Sequence, residues 1–407
     1  MKLVEIILGE MENVNKAQKN FIIILMKTMM IIYGKINFSS LARYSGLSEK
    51  TFRRWFKKPF DFIEFNAKAI ARVIRPVDEA IAAFDPSFIN KSGSSTWGKD
   101  FFWNGCAARA ERGLELISCA IISVAHNTAY ALATDQTPLL KKRSERDKDD
   151  PSRIDIYLNF IKKLSTTIKK YTNFFVCDGF FAKKTFVDGI VEMGFSFIGK
   201  LRCDVDLKMI YTSAQKAGPG RPKKFAGKCD MSKLQGFEFA AKFDEEIDLF
   251  SGIFYQPALQ RTIKVVVAQR TNKNRIGTMF LFSTDLCIDP VKIFIYYKAR
   301  FQIEFVFRDA KQHVGLADCQ SRNKESLWFH QNVSCAVLNL IKIQDFFDRT
   351  IDEKNKSFSI SSYKVRYHNK NMIESFFHKL GFGLTSEKLI PVFQQMLNYG
   401  AIQFRKG

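Results

Sequence analysis

The strongest constraint on the fold is the order in which hydrophobic period changes between residues 76 and 202. Residues 79–84 (EAIAAF) form a short apolar run that ends at Asp85. Leu114–Val124 and Thr128–Thr134 read as two strands joined by a turn at His126-Asn127. Residues 152–172 carry the spacing of an amphipathic helix, and residues 174–177 (FFVC) that of a buried strand ending at Asp178. A helix over 181–193 and a strand over 195–201 follow. Strand, strand pair, helix, strand, helix, strand describes an α/β layered domain.

The flanks read differently. Residues 203–289 contain four more strand-like runs, 237–243, 249–255, 262–269 and 277–282, separated by Gly, Pro and Asn turns. They suggest a β-rich insertion, with a basic loop at 218–224 (GPGRPKK) that cannot be helical. Residues 290–345 return to helix, and 346–407 are polar and then helical. A chain of 407 residues has room for two or three domains, and 46% hydrophobic content supports a large core. The most apolar run, 21–33, is interrupted by Lys27 and falls short of the ~20 residues of a spanning helix. Neither a membrane segment nor a signal peptide is expected. The 8 Cys are scattered, with no metal-ligand spacing, and read as reduced, mostly buried thiols of a cytosolic protein.

Lys and Arg exceed Asp and Glu by 63 to 41, a formal charge of +22. Such an excess favours a polyanion partner, although 40 Phe among abundant Lys, Ile and Asn also suggests an A+T-rich coding bias. Residues 1–75 hold 14 Lys and Arg against 6 Asp and Glu. Within them, 37–58 has helix-turn-helix spacing, with Gly46 free to adopt positive φ in the turn and Ser48 as N-cap of a second helix. That helix would display Lys50, Arg53, Arg54, Lys57 and Lys58 toward DNA. A helical hairpin with a solvated basic face fits the same pattern.

Residues 296–311 (YYKARFQIEFVFRDAK) concentrate the chemistry. On one helix at roughly 100° per residue, Tyr297, Arg300, Glu304, Arg308 and Lys311 share one face, with Phe301, Ile303, Phe305 and Phe307 anchoring the others. Geometry alone fits a surface ion-pair ladder, Arg300–Glu304–Arg308, at least as well as a site.

The spacing Tyr-x2-Arg-x3-Glu-x6-Lys resembles the signature of a superfamily of bacterial insertion-sequence transposases of the DDE type, the IS-four superfamily. It reads here as Tyr297, Arg300, Glu304 and Lys311. Residues 282–286, 301–316 and 320–322 also resemble that family, and the likeness spans roughly residues 78–330. Asp178 in FVCDGFFAKK is similar to its second Asp motif. Asp85 in FDPSFINKSG is similar to the first, with Pro86 and Ser87 where Asp and Thr are common; Asp78 and Asp100 are fallbacks. The loop bearing Arg221, Lys223 and Lys224 resembles a basic loop of the family's β insertion.

The resemblance implies an RNase H-like core over 76–202 and 290–345, interrupted by the insertion. It implies that Asp85, Asp178 and Glu304 hold two Mg²⁺ ions (Mn²⁺ as a substitute), because such ions activate and stabilise the oxygens exchanged at a phosphodiester. Tyr297, Arg300, Arg308 and Lys311 would hold DNA phosphates, Arg as a bidentate fork. The implied activity is cleavage at terminal inverted repeats and strand transfer into target DNA, commonly through a hairpin, by a homodimer working at the bacterial nucleoid in the cytoplasm. A nuclease of the same fold, or an inactive DNA-binding descendant, are the rival readings.

Overall fold

The computed structural model describes residues 2–141, 145, 147, 149–215, 221–272, 275–349, 359–381 and 389–401. Five helices come first: α1 (Lys2–Gly9), α2 (Lys16–Ile31), α3 (Phe38–Ser45), α4 (Glu49–Trp55) and α5 (Phe62–Ile70). α3 and α4 are two short helices joined at Gly46, where both the helix-turn-helix and the helical-hairpin readings put them. Gly46 closes α3 with φ 75°, and the Ser48 hydroxyl accepts from Thr51 N to start α4. The inner face of this pair is buried through Leu41, Phe52 and Phe56. Phe56 packs on Phe329 at 4.6 Å and Phe62 on Trp328 at 5.7 Å, so the N-terminal helices share a core with the rest of the chain.

Among the described residues, 12 strands form a single sheet. Its first strands are β1 (Ala80–Asn90), β2 (Asp100–Asn104), β3 (Arg109–Ser123) and β4 (Thr128–Gln136). After α6 (Arg153–Ile168) come β5 (Phe174–Val176), α7 (Lys184–Glu192) and β6 (Ser196–Leu201). β1, β5 and β6 are parallel neighbours, a pairing that needs crossovers such as α7. The remaining strands, β7 (Lys208–Ile210), β8 (Phe225–Lys228), β9 (Glu238–Lys242), β10 (Ile247–Gln256), β11 (Arg261–Asn272) and β12 (Arg275–Ser283), pair antiparallel. β12 pairs with β6, so the β-rich block at 203–289 continues the same sheet. Of the basic loop, residues 218–220 lie outside the described residues, while Arg221, Lys223 and Lys224 are exposed.

Four helices follow: α8 (Pro290–Arg300), α9 (Gln302–His313), α10 (Lys324–Asp348) and α11 (Ile360–Lys379), then α12 (Leu389–Leu397). α10 is the most deeply buried helix, and its polar residues explain how it can be. Among the described residues β4 pairs only with β3, leaving one edge of backbone groups open. Side-chain amides of α10 fill that edge. Asn339 Oδ1 accepts from Ala131 N at 2.9 Å while its Nδ2 donates to Ala131 O at 2.7 Å, and Asn332 does the same for Thr134 at 3.1 and 2.8 Å. Lys342 Nζ donates to Ala129 O at 3.0 Å, and Asn66 of α5 donates to Leu132 O at 3.1 Å. Buried backbone groups need such partners.

The structure corrects several expectations. Asp85 does not end its strand. β1 continues through Pro86 to Asn90 against β3, with Asp85 opposite Ser118. Proline is tolerated because the parallel partner β5 reaches only to Ala83. Trp103 is 62% exposed on β2, a strand the sequence pattern did not reveal. Five of the eight cysteines are buried and all are free. Among the described residues no helix is long and apolar enough to cross a membrane.

Candidate active site

Asp85 and Asp178 come together through the parallel pairing of β1 and β5. The register sets Ala83 beside Val176, which places Asp85 and Asp178 each two residues beyond the same rung. Asp178 also caps the turn after β5, its carboxylate accepting from Phe180 N at 2.9 Å. That fixes its rotamer and leaves its second oxygen free of this bond.

The third carboxylate arrives on α9. The segment expected as one helix is two, joined at Phe301. Phe301 keeps helical dihedrals, φ −56° and ψ −20°, but Phe301 N bonds Lys298 O and Glu304 N bonds Phe301 O, a tighter three-residue spacing. Tyr297 and Arg300 therefore stand on α8, and Glu304 and Lys311 on α9. The anchors differ accordingly: Ile303, Val306 and Phe307 are buried, and Phe301 is exposed.

Arg300 Nη2 donates to Glu304 Oε1 at 2.8 Å, and the guanidinium lies 5.7 Å from the Tyr297 ring. The Arg300 side chain is almost buried, whereas Glu304 keeps 41% of its side-chain exposure and faces solvent. Arg300 Nε is buried without a hydrogen-bond partner among the described residues. Lys311 Nζ crosses to β1, donating to Ser87 Oγ at 2.8 Å and to Phe88 O at 2.9 Å. Ser87, marked in the sequence only as a departure from the family's Thr, stands two residues from Asp85, on the same face of the strand.

Arg308 does not join this group. Its guanidinium pairs with Asp309 at 2.8 Å and covers the Phe305 ring at 4.3 Å, so only the Arg300–Glu304 half of the ladder forms. Asp78 is engaged by Arg75 at 2.9 Å.

The electrostatics mark Asp85 as the strained member. Burial pushes its carboxyl up to about 7, and the charges of Asp178 and Glu304 push the same way, against Arg300 and Lys311. Burial works against the charge on Arg300, but the Glu304 hydrogen bond and the fields of Tyr297, Glu304 and Asp85 leave it raised. Burial lowers Lys311, with Cys106 and Asp85 partly opposing. Burial also raises the Tyr297 phenol.

Such a group can do two things. Crowded carboxylate oxygens are the donors that hard divalent cations take, and a cation would offset both the burial and the neighbouring charges that raise the Asp85 carboxyl. Among the described residues no three acidic, His or Cys side chains already form a closed metal cage. Arg300, with an orphaned Nε, presents a free donor of the kind that a phosphate oxygen satisfies.

Away from this centre, Arg53, Arg54 and Lys57 are exposed on or just after α4; Arg53 pairs with Glu49 at 3.3 Å. The nearby Lys58 lies 4.2 Å from the Trp55 ring.

Residues 156–340 match the family model of the transposase DDE domain. The matched stretch includes Asp178, Tyr297, Arg300, Glu304 and Lys311, and Asp85 precedes it. No curated protein matches the chain.

Proposed function

We propose that this chain is a DNA transposase of the bacterial insertion-sequence type, carrying the Tyr-Arg-Glu-Lys signature of the IS-four superfamily on an RNase H-like core. The observation that supports it most is the meeting of Asp85 and Asp178, from the neighbouring strands β1 and β5, with Glu304 and Arg300 in one electrostatic neighbourhood. The match of residues 156–340 to the transposase DDE domain supports it independently.

In this reading Asp85, Asp178 and Glu304 hold two Mg²⁺ ions, or Mn²⁺. When bound, such ions activate the attacking oxygen and stabilise the leaving one. The protein's own groups do the rest. Asp85, once deprotonated, would be one of the residues that hold an ion. Asp178 is held in place by its bond to Phe180 N. Arg300, with its free Nε, grips a phosphate oxygen of the scissile strand beside Glu304. Lys311 ties α9 to β1 through Ser87 and Phe88, which fixes the separation of Glu304 from Asp85. Tyr297 backs the Arg300 guanidinium.

Water would first attack at a terminal inverted repeat to release a 3′-hydroxyl, which then attacks target DNA, in a cut-and-paste pathway by a homodimer. The exposed cations of α4 and Arg221, Lys223 and Lys224 would contact phosphates outside the centre. The test is to incubate the purified protein and Mg²⁺ or Mn²⁺ with DNA carrying the repeats that flank its gene. End-specific cuts and joined products are expected, and Glu304→Gln should remove both by at least ~100-fold. Cutting by Glu304→Gln at the wild-type rate would sink the site assignment, and cutting without joining would make the protein a nuclease.

One observation favours a second reading. Pro86 and Ser87 replace the Asp-Thr pair expected after Asp85, and Ser87 is engaged by Lys311. A silent DNA-binding protein would bind the repeats and cut nothing.

A further inference from the structure

β2 and the start of β3 form a hairpin that outruns the sheet. β1 pairs with β3 only as far as Asn90 opposite Gly113, and β4 begins its pairing at Leu116. Residues 109–112 therefore have only β2, residues 101–104, as partner. The alternation of the strand sorts its aromatic residues. Phe102 turns inward, 2% exposed, with the Arg153 guanidinium 5.3 Å from its ring. Phe101 and Trp103 turn outward and are 60% and 62% exposed.

The core has no use for these two rings, and a projecting two-stranded hairpin gains little by showing them to water. Across the hairpin, small Ala110 stands opposite Trp103, which leaves that ring open on one side. Arg112 stands opposite Phe101, its guanidinium 5.8 Å from the ring. Neighbouring residues on one strand face are about 7 Å apart, the spacing of two rings with one nucleobase between them. The hairpin turns through Ala108, φ 51°, and brings Cys106 at its tip within electrostatic reach of Lys311. The rings thus stand on an arm whose tip lies in the field of Lys311, the cation that bonds Ser87 two residues beyond Asp85. A protein partner would call for a wider apolar patch; two rings with Arg112 beside them suit a charged strand whose bases are bare.

We propose that Phe101 and Trp103 form a base-stacking platform for an unpaired DNA strand passing the carboxylate centre, with Arg112 holding the adjoining phosphate. This rests on the reading of the chain as an enzyme acting on DNA. Stacking on aromatic side chains tolerates any base, so the platform would hold a freed strand end whatever its sequence.

The experiment compares the full-length wild type, Phe101→Ala/Trp103→Ala and Trp103→Phe. Each is titrated against dye-labelled oligo-dT, an abasic strand of equal length, and a random duplex, with anisotropy as the readout. The double variant should lose at least about tenfold affinity for oligo-dT, while its affinity for the abasic strand and the duplex stays near wild type. Trp103→Phe, which keeps a ring, should bind oligo-dT nearly as well as wild type, and oligo-dT should quench less tryptophan fluorescence in it. Equal oligo-dT affinity for wild type and double variant overturns the platform, as does an equal loss on the abasic strand, which would mean a structural or purely ionic role. Either result leaves the carboxylate reading to its own test with Glu304→Gln. A wild type that binds no DNA of any kind overturns both.

Discussion

Asp85 holds the least comfortable position in the chain. An ordinary aspartate titrates near 3.9, whereas burial and the neighbouring Asp178 and Glu304 bring this one to about 7. The folded protein therefore binds more protons than the unfolded chain between those values. Stability should fall as pH rises from about 4 to about 7, by up to about 4 kcal/mol, and then level off. Asp85→Asn should flatten that decline and unfold at higher denaturant than wild type at pH 8, while losing cutting. Chemical denaturation at several pH values, without divalent ions, checks it. Added Mg²⁺ should stabilise wild type more at pH 8 than at pH 5, because a cation competes with the proton. A wild type and Asp85→Asn with parallel pH profiles would show that Asp85 is not the titrating group.

The next scale up is the element, and here α10 is the informative case. Its Asn332, Asn339 and Lys342 act as a substitute strand for the open edge of β4. Asn339→Leu would strand Ala131 N–H and remove the bond to Asn66 Oδ1, which Asn339 also donates at 3.1 Å. The expected cost is about 2–4 kcal/mol, read as a lower urea midpoint with unchanged slope. Half-buried Gln344, whose amide donates to Asp348 one turn along the same helix at 2.9 Å, gives the contrast; its substitution by Ala should cost no more than about 1 kcal/mol.

Much at this scale was legible in the sequence. The runs at 174–177 and 195–201 became β5 and β6, the helix 181–193 became α7, and the capped turn at Gly46 and Ser48 formed as read. Each has a local signal, either period or cap. What stayed hidden lacks one. The break at Phe301 keeps helical dihedrals, so the apolar spacing runs through it undisturbed. Pro86 looks like a stop, and only the end of β5 at Val176 makes it harmless. β2 is stabilised by its pairing with β3 rather than by its own pattern. Arg308 was grouped with Glu304 by angle, but adjacent Asp309 offers a closer carboxylate. Asp178 and Glu304 were picked out through the family resemblance, since a strand-end Asp and an i,i+4 ion pair carry no signal of their own, and nothing in the sequence tied Lys311 to Ser87.

For the whole molecule, the charge of +22 is the quantity to test. If α4 lies on DNA, each phosphate contact removed should lower the slope of log K against log salt by about 0.9. Arg53→Ala/Arg54→Ala/Lys57→Ala should reduce duplex affinity on all sequences and flatten the slope by about 2–3. A slope equal to that of wild type would place DNA elsewhere. The buried interface behind α4 gives this a mechanical side. Phe56, Phe62 and Asn66 join the N-terminal helices to α10 and β4 without an intervening linker. The span from the basic helix to the carboxylates is then a fixed length, and if α4 grips DNA the protein would work as a gauge. A duplex gripped at one end would be cut at one offset, and lengthening a DNA spacer by half a helical turn should abolish cutting rather than shift it.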